Sequence, residues 1–419
     1  MINLIRDILN KNNIKIYNIK EEKESSLEMF FVKKEMTLKR MKETIIYNVT
    51  VYNEFYEGNE HFLGSANTLI SPDMNEDEIE LNILDAFNSS KFVKNKFYKM
   101  PENVVEKVID YTILDNMALI DIAQATIDAI YKNDINEDYF INSAEIFVTR
   151  KNIHIVTNNN DVEFVETSIS GETVCQCISP TDVELFNIFE YNDFDMASLE
   201  KEVMEQLEMT KIRSQAIKEI NSCDMNVMLS GKCVRDLFDF YLDRASFPFV
   251  YKNYSSFEIG KDIQEASGDK LNINLIKTRP FTDECVKKED ITLIENGICK
   301  SLIGSSRFAY YLDKMPTGYF DKIKVNTGSL SNDDLKEPYL EAIYFSNLQV
   351  DSFSGFFGGE IRLAIFHKDG KDIPITGCSI SGNLLDAQKN LKLSLSTQSF
   401  GNYDGPDKIF FKNISVSGN

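Results

Sequence analysis

The sequence contains no tryptophan and only three histidines in 419 residues. So little histidine restricts metal and proton chemistry, because neutral imidazole is the commonest transition-metal ligand and the commonest general base. His61, His154 and His367 fall in a turn, on a strand and at a strand end, and none stands at ligand spacing from another. There are seven cysteines, scattered and without a CxxC. Cys175 and Cys177 are too close for an ordinary disulfide across one strand. The pattern reads as reduced, mostly buried thiols in a cytosolic protein. No stretch approaches the ~18 apolar residues of a membrane span. The first residues, MINLIRDILNKNN, place Asp7 inside a short amphipathic helix and lack the apolar core and cleavage site of a signal peptide. Basic charge is also in short supply. The net charge is -21, which opposes direct binding to nucleic acid, where lysine and arginine must neutralise phosphate. The acidity suits solubility or attraction of basic partners. Neither GxxxxGK[ST] nor GxSxG occurs.

What remains is an ordinary globular composition. The hydrophobic fraction of 43% supports normal buried cores, and the length fits two or three domains. Residues 1–11 read as a helix; Lys15–Asn18 and Met29–Val32 read as strands. Thr44–Tyr56 alternates apolar and polar residues with the period of a half-buried strand, and Glu57-Gly58-Asn59 turns it into Gly64–Leu69. Ser71-Pro72-Asp73 opens a helix running to about Asn88. Asn103–Asn133 reads as one or two amphipathic helices. Glu145–Arg150, His154–Thr157 and Glu163–Ser168 return to strand, and Thr181–Asn221 reads as a charged helical segment bridging two halves. Helices and strands come in blocks, which predicts an α+β fold. The expected division is an α+β domain over residues 1–222 and a β-rich domain over residues 223–419.

Chemistry-bearing constellations are few. Asp236, Asp239 and Asp243 share one helix face, flanked by Arg235 and Arg244. Such carboxylates can do acid–base work or bind calcium, but the flanking arginines predict a solvated ion-pair face. Cys378 could face His367 across a hairpin as a thiol–base pair; a buried structural thiol is the plainer reading. The richest stretch is Asp351–Asp386, with an apolar strand at Ile361–Phe366, a charged turn at Lys368–Asp372 and glycines in SGFFGGE and SISGN. Phe353, Phe356 and Phe357 precede the glycine pair. If they line a cleft, an extended peptide could add to a strand edge there. The candidate substrate-binding residues are Phe356, Gly358, Gly359, Glu360, Arg362, Ser381, Gly382 and Asn383. Core aromatics and turn or bulge glycines are the plainer alternative.

The same stretch resembles the C-terminal signature of the TldD/PmbA family, cytosolic peptidase-related proteins once called modulators of DNA gyrase. LIENGICKSLIGSSRFA, MPTGYFDKIKVNTGSLSNDDL, the signature itself and the closing DGPDKIFFKNISVSG follow in the family's order. In the first half, LGSANTLISPDMNEDEIELNILDAF and IHIVTNNNDVEFVETSISGE are similar to family passages, with Asp161 where glycine is usual. The family's zinc-bearing branch carries H-E-x-x-x-H on a helix. The matching passage here is VMLSGKCVRDLFDFYLDR, which sets Asp239, Phe240 and Arg244 at the His, Glu and His positions. The third ligand of that branch is a cysteine, and LSLSTQSFGNYDGPDK has none. The resemblance therefore implies a TldE/PmbA-type subunit with no cofactor of its own, zinc being expected only in a TldD-type partner. It implies a dimer, with that partner or with itself, acting on small or unfolded peptides in the cytoplasm. An autonomous peptidase with an unrecognised site, and a non-enzymatic peptide-binding scaffold, remain as alternatives.

Overall fold

The computed structural model describes residues 1–101, 104–108, 111–218 and 220–418. In chain order the first part comprises α1 (Ile2–Lys11), β1 (Ile16–Val32), β2 (Glu35–Glu57), β3 (Glu60–Ile70), α2 (Glu76–Ser90), β4 (Val105–Val108), α3 (Leu119–Tyr131), β5 (Tyr139–Thr157), β6 (Asp161–Cys177), β7 (Val183–Tyr191) and α4 (Met196–Arg213). Its sheet runs β3-β2-β1-β5-β6-β4, with β7 also paired to β6. α2 starts where Asn75 and Glu78 cap each other's backbone N–H groups, which satisfies two donors that a helix start otherwise leaves orphaned.

Strand alternation gives this sheet two faces. Odd-numbered residues of β1 (Tyr17, Ile19, Leu27, Met29) lie in the cores built with the helices, which include Ile5 and Ile8 of α1, Ile79 and Ile83 of α2, Ile122 of α3 and Leu199 of α4. The other face meets the second part of the chain. There Asn18 donates to the Asp283 carbonyl at 2.7 Å, Lys20 pairs with Asp283 at 3.1 Å, and Ile153, Ile155 and Phe164 pack with Phe281 and Cys285.

The second part continues with β8 (Cys223–Ser230), α5 (Cys233–Asp236), α6 (Asp239–Arg244), α7 (Phe247–Tyr251), β9 (Ile273–Ile276), β10 (Ile291–Glu295), β11 (Ile298–Cys299), α8 (Ser306–Tyr311), β12 (Lys322–Val325), β13 (Tyr339–Val350), β14 (Phe356–Lys368), β15 (Lys371–Ile375), β16 (Ser379–Asn383), α9 (Leu384–Ala387), β17 (Lys392–Leu393), β18 (Thr397–Phe400), β19 (Tyr403–Pro406) and β20 (Lys408–Ser417). One sheet runs β11-β10-β9-β12-β19-β18. In the other, the order β13-β8-β20-β16-β14 closes on itself, because β14 also pairs with β13. A closed barrel has no edge over its paired length. Together these sheets enclose one large core that includes Phe240, Phe357, Ile361, Tyr403 and Phe411.

The fold is α+β, as expected, although three segments differ. Lys15–Asn18 and Met29–Val32 are the two ends of one strand, β1. Asn103–Asn133 contains the short strand β4, a 3-10 turn at Ile113–Asn116 and one helix, α3; residue 103 itself lies outside the described residues. Thr181–Asn221 is helical only over α4; its first third is β7, whose Leu185, Asn187, Phe189 and Tyr191 turn inward, and residue 219 lies outside the described residues. His61 sits on β3, not in a turn, stacked between Tyr56 and Phe97 at 4.2 and 4.1 Å.

Candidate functional site

The passage from β8 into α6 determines what the site can hold. β8 is followed by Gly231, whose positive φ of 76° lets the chain turn sharply into α5. Apolar residues at helical spacing then anchor the segment: Val234, Leu237, Phe238, Phe240 and Tyr241 are all buried. The alternate positions Asp236, Asp239 and Asp243 stay exposed, so the carboxylates do share a face, and it lines cavities. Asp239 and Asp243 border a cavity of about 510 Å³ with Phe249, Tyr319 and Phe320. Asp236 borders a larger cleft of about 700 Å³.

The two arginines behave differently. Arg235 ion-pairs with Asp239 and donates to the Asp321 carbonyl at 3.1 Å. Arg244 turns inward instead of joining a solvated ion-pair face. It is buried, lies over the rings of Phe240 and Phe257 at 5.3 and 5.7 Å, and donates to the Ser352 carbonyl at 3.1 Å. Phe240 is fully buried. Of the positions matching H-E-x-x-x-H, one is a salt-bridged aspartate and two point into the core. These residues do not fit a zinc ion: a phenyl ring has no lone pair to give, and a guanidinium is a permanent cation. Among the described residues no group of three His, Cys, Asp or Glu is placed to hold a metal ion. The stretch matching the third-ligand segment does return to the same place. β18 lines the large cleft, and Gln398 donates to the Gly231 carbonyl at 2.8 Å.

The large cleft lies between the two parts of the chain. One wall is β7 and α4, with Phe186, Ile188, Glu202 and Glu205; the other is α5, β13 and β18. Lys232 crosses it, pairing with Glu202 and donating to the Ile188 carbonyl at 2.6 Å. Asp236 keeps solvent access, but the surrounding walls remove hydration and Asp239 adds like charge, which together push its carboxyl up to about 6. β13 supplies the feature of most use here. It pairs with β8 only over Tyr339–Ala342. Beyond that its pairing with β14 is broken by repeated irregularities, and residues Ile343–Leu348 line the cleft. Among the described residues no strand pairs with the β8-side edge of this stretch. It exposes backbone donors and acceptors to a cavity of peptide-binding size.

The eight residues expected to bind substrate lie elsewhere. The structure brings most of them together, since Phe356 faces Asn383, Gly358 faces Ser381 and Glu360 faces Ser379 across β14 and β16. Arg362 lies 3.8 Å from Glu360. But β14 is paired on both sides, with β13 on one and β16 and β15 on the other, and β16 is held between β14 and β20. At Gly358–Glu360 and Ser379–Ser381 the strand edges are therefore already taken by neighbouring strands, which leaves less room for peptide addition there than the sequence suggests. Gly358, Gly359 and Gly382 instead make room for neighbours. An added Cβ would lie 2.6 Å from the Ile380 carbonyl, 2.4 Å from the Asn347 carbonyl and 2.7 Å from the Phe357 ring, respectively. Phe357 is in the core, while Phe353 stacks on Phe249 at 4.7 Å. The proposed thiol–base pair does not form either. His367 engages Asp372 at 2.7 Å and Glu341 at 3.1 Å and stacks on Tyr339, and loss of hydration pushes the buried Cys378 thiol up to about 11. Sequence reasoning missed the β13 edge. Its only signal would have been a strand longer than its neighbour β8, and nothing local marks where β8 stops.

Residues 222–418 match the family described as "PmbA/TldA metallopeptidase C-terminal domain". No curated protein sequence matches the chain. Solved structures do. TldE from Thermococcus kodakarensis superposes with a TM-score of 0.76 at 16% identity, each chain covered 100%. A candidate modulator of a DNA gyrase from Thermotoga maritima MSB8 gives 0.76 at 14%, again covering 100% of both. A candidate modulator of DNA gyrase from Bacteroides thetaiotaomicron VPI-5482 gives 0.73 at 14%, covering 100% of this chain and 98% of the other. At these identities the superpositions establish a shared fold across the chain.

Proposed function

Because the chain belongs to the TldD/PmbA family, a metallopeptidase-related group, by its C-terminal half and its whole-length fold, we propose that it is the metal-free subunit of a two-chain cytoplasmic peptidase. It pairs with a zinc-bearing TldD-type relative and supplies cleft wall and peptide grip, while the partner supplies the metal-bound water. One observation carries this reading: the positions matching the zinc motif are a salt-bridged Asp239, a core Phe240 and a buried Arg244. The β8-side edge of β13 beyond Ala342, which has no strand partner among the described residues and belongs to the stretch lining the 700 Å³ cleft, supports a peptide substrate held through its backbone, which would make recognition tolerant of sequence. That edge is now the preferred substrate contact, in place of the β14–β16 glycines.

The test is zinc content and peptide hydrolysis of the purified chain, alone and mixed with a zinc-bearing relative from the same organism. The expected result is no bound zinc and no hydrolysis alone, with hydrolysis in the mixture beyond that of the relative by itself. Stoichiometric zinc with hydrolysis by the isolated chain would overturn the proposal. The same β13 edge favours a second reading, a peptide-binding protein with no partner protease; peptide binding without any gain of hydrolysis in the mixture would select it.

A further inference from the structure

The cleft does not stand alone. Ile188, Glu202, Lys232, Asp236 and Phe400 line both it and a smaller cavity of about 240 Å³. That cavity in turn shares Arg235 and Asp239 with the 510 Å³ cavity beside α6. The three spaces thus adjoin along the carboxylate face of α5 and α6. Every cation that lines them already has a partner: Lys201 pairs with Glu205 at 3.7 Å, Lys408 with Glu341 at 2.9 Å, Lys232 with Glu202 and Arg235 with Asp239. Carboxylates are left over. Glu208, Asp236 and Asp407 in the cleft, Glu190 in the small cavity, and Asp243 and Asp321 in the third have no cation within ion-pairing distance among the described residues. Asp243 and Asp407 accept only from the hydroxyls of Ser352, Ser394 and Ser396, and Asp236 has no hydrogen-bond partner at all among the described residues.

Like charges gathered around shared space repel, and only a cation brought from outside can offset them. The effect is already visible at Glu205, where lost hydration, with Glu202 and Glu208 adding like charge, holds the carboxyl above its ordinary value despite Lys201. The open edge of β13 lies beside these acids. Cys233 contacts the carbonyl of Ala342, the last β13 residue paired with β8, at 3.7 Å. Asp236, three residues further along α5 and so on the same side of the helix, stands near the start of the free edge. The apolar lining fits the same occupant. Phe186 and Ile188 are 51% and 63% exposed in the cleft wall, and lysine and arginine lay their methylene stems on such surface while their charged heads reach beyond it.

We infer that the cleft selects basic peptides, their backbone laid along the open β13 edge and their lysine or arginine side chains reaching the unpaired carboxylates. The inference rests on the peptide-binding reading of this cleft and adds the substrate class. The probes are three labelled peptides of equal length, with pairs of lysine, glutamine or glutamate separated by pairs of threonine, so that both faces of the extended chain present them. They are titrated into the full chain, alone and together with its zinc-bearing relative, in about 0.15 M sodium chloride, which screens exposed charges beyond about 8 Å. The basic peptide is expected to bind best and the acidic one worst, and binding is expected to protect the amides of residues 343–348 from hydrogen exchange. Asp236→Asn is expected to weaken the basic peptide about fivefold and to leave the neutral one unchanged. Asp85→Asn, an equal loss of charge at an exposed position on α2 outside all three cavities, is expected to change neither. Equal affinity for the three peptides would overturn the inference and leave a cleft that grips backbone alone. A loss in Asp85→Asn as large as in Asp236→Asn would also overturn it, by assigning the attraction to the charge of the whole surface. No binding of any peptide, with or without the relative, would overturn the peptide reading itself and this inference with it.

Discussion

Asp236 shows how single side chains record the character of the cleft. Its carboxyl is pushed up to about 6 by lost hydration and by Asp239. A carboxyl whose folded pKa is raised is favoured by the fold in its neutral form, so its contribution is best below the unfolded value near 4 and worsens as pH rises through 6. Asp236→Asn is therefore expected to raise the melting temperature by roughly 1–2 °C at pH 8 and to leave it unchanged at pH 4. Equal melting at both pH values, relative to the parent, would show that the carboxyl carries no such penalty. At this scale the sequence was only half informative. The spacing of Asp236, Asp239 and Asp243 gave their shared face, since helical periodicity is local. The inward turn of Arg244 was hidden, because it depends on Phe257 and Ser352, which are remote in sequence.

Among elements, β14 and β16 invite a choice between packing and binding. An added Cβ at Gly359 would sit 2.4 Å from the Asn347 carbonyl and 3.1 Å from the Phe345 ring, and neither neighbour can yield without disturbing β13. Gly359→Ala is expected to destabilise the folded chain by about 1–3 kcal/mol with no peptide present, measured by chemical denaturation. An unaltered midpoint combined with weakened peptide binding would return these glycines to the substrate site. Element by element, legibility follows locality. Thr44–Tyr56 announced itself by alternation. The middle of β1, KEEKESS, did not, because its charges are satisfied by cross-strand partners: Glu22 with Lys151 at 2.9 Å, Glu21 with the Tyr47 hydroxyl at 2.7 Å. Val183–Tyr191 carried a clear alternation of buried and exposed residues and was overlooked beside the strong helical pattern of α4. The β13 edge could not be read at all, since an unpaired edge is a property of where other strands end.

For the whole molecule, a net charge of -21 means long-range self-repulsion that salt relieves, the screening length falling from about 30 Å at 0.01 M to about 10 Å at 0.1 M. Melting temperature is expected to rise by a few degrees over that range of sodium chloride; a flat or falling response would mean that the surface ion pairs, weakened by the same salt, outweigh the repulsion. The way the barrel closes has a consequence for the making of the protein. β8 and β20 are hydrogen-bonded neighbours, although one is among the first strands of the C-terminal half to leave the ribosome and the other is made only after the rest of the barrel. Until β20 is available, β8 and β16 each wait with one flank bare. Synthesis therefore holds this half of the chain in an open, aggregation-prone state until β20 is made, whereas the N-terminal sheet already has all its strands and can fold ahead of it.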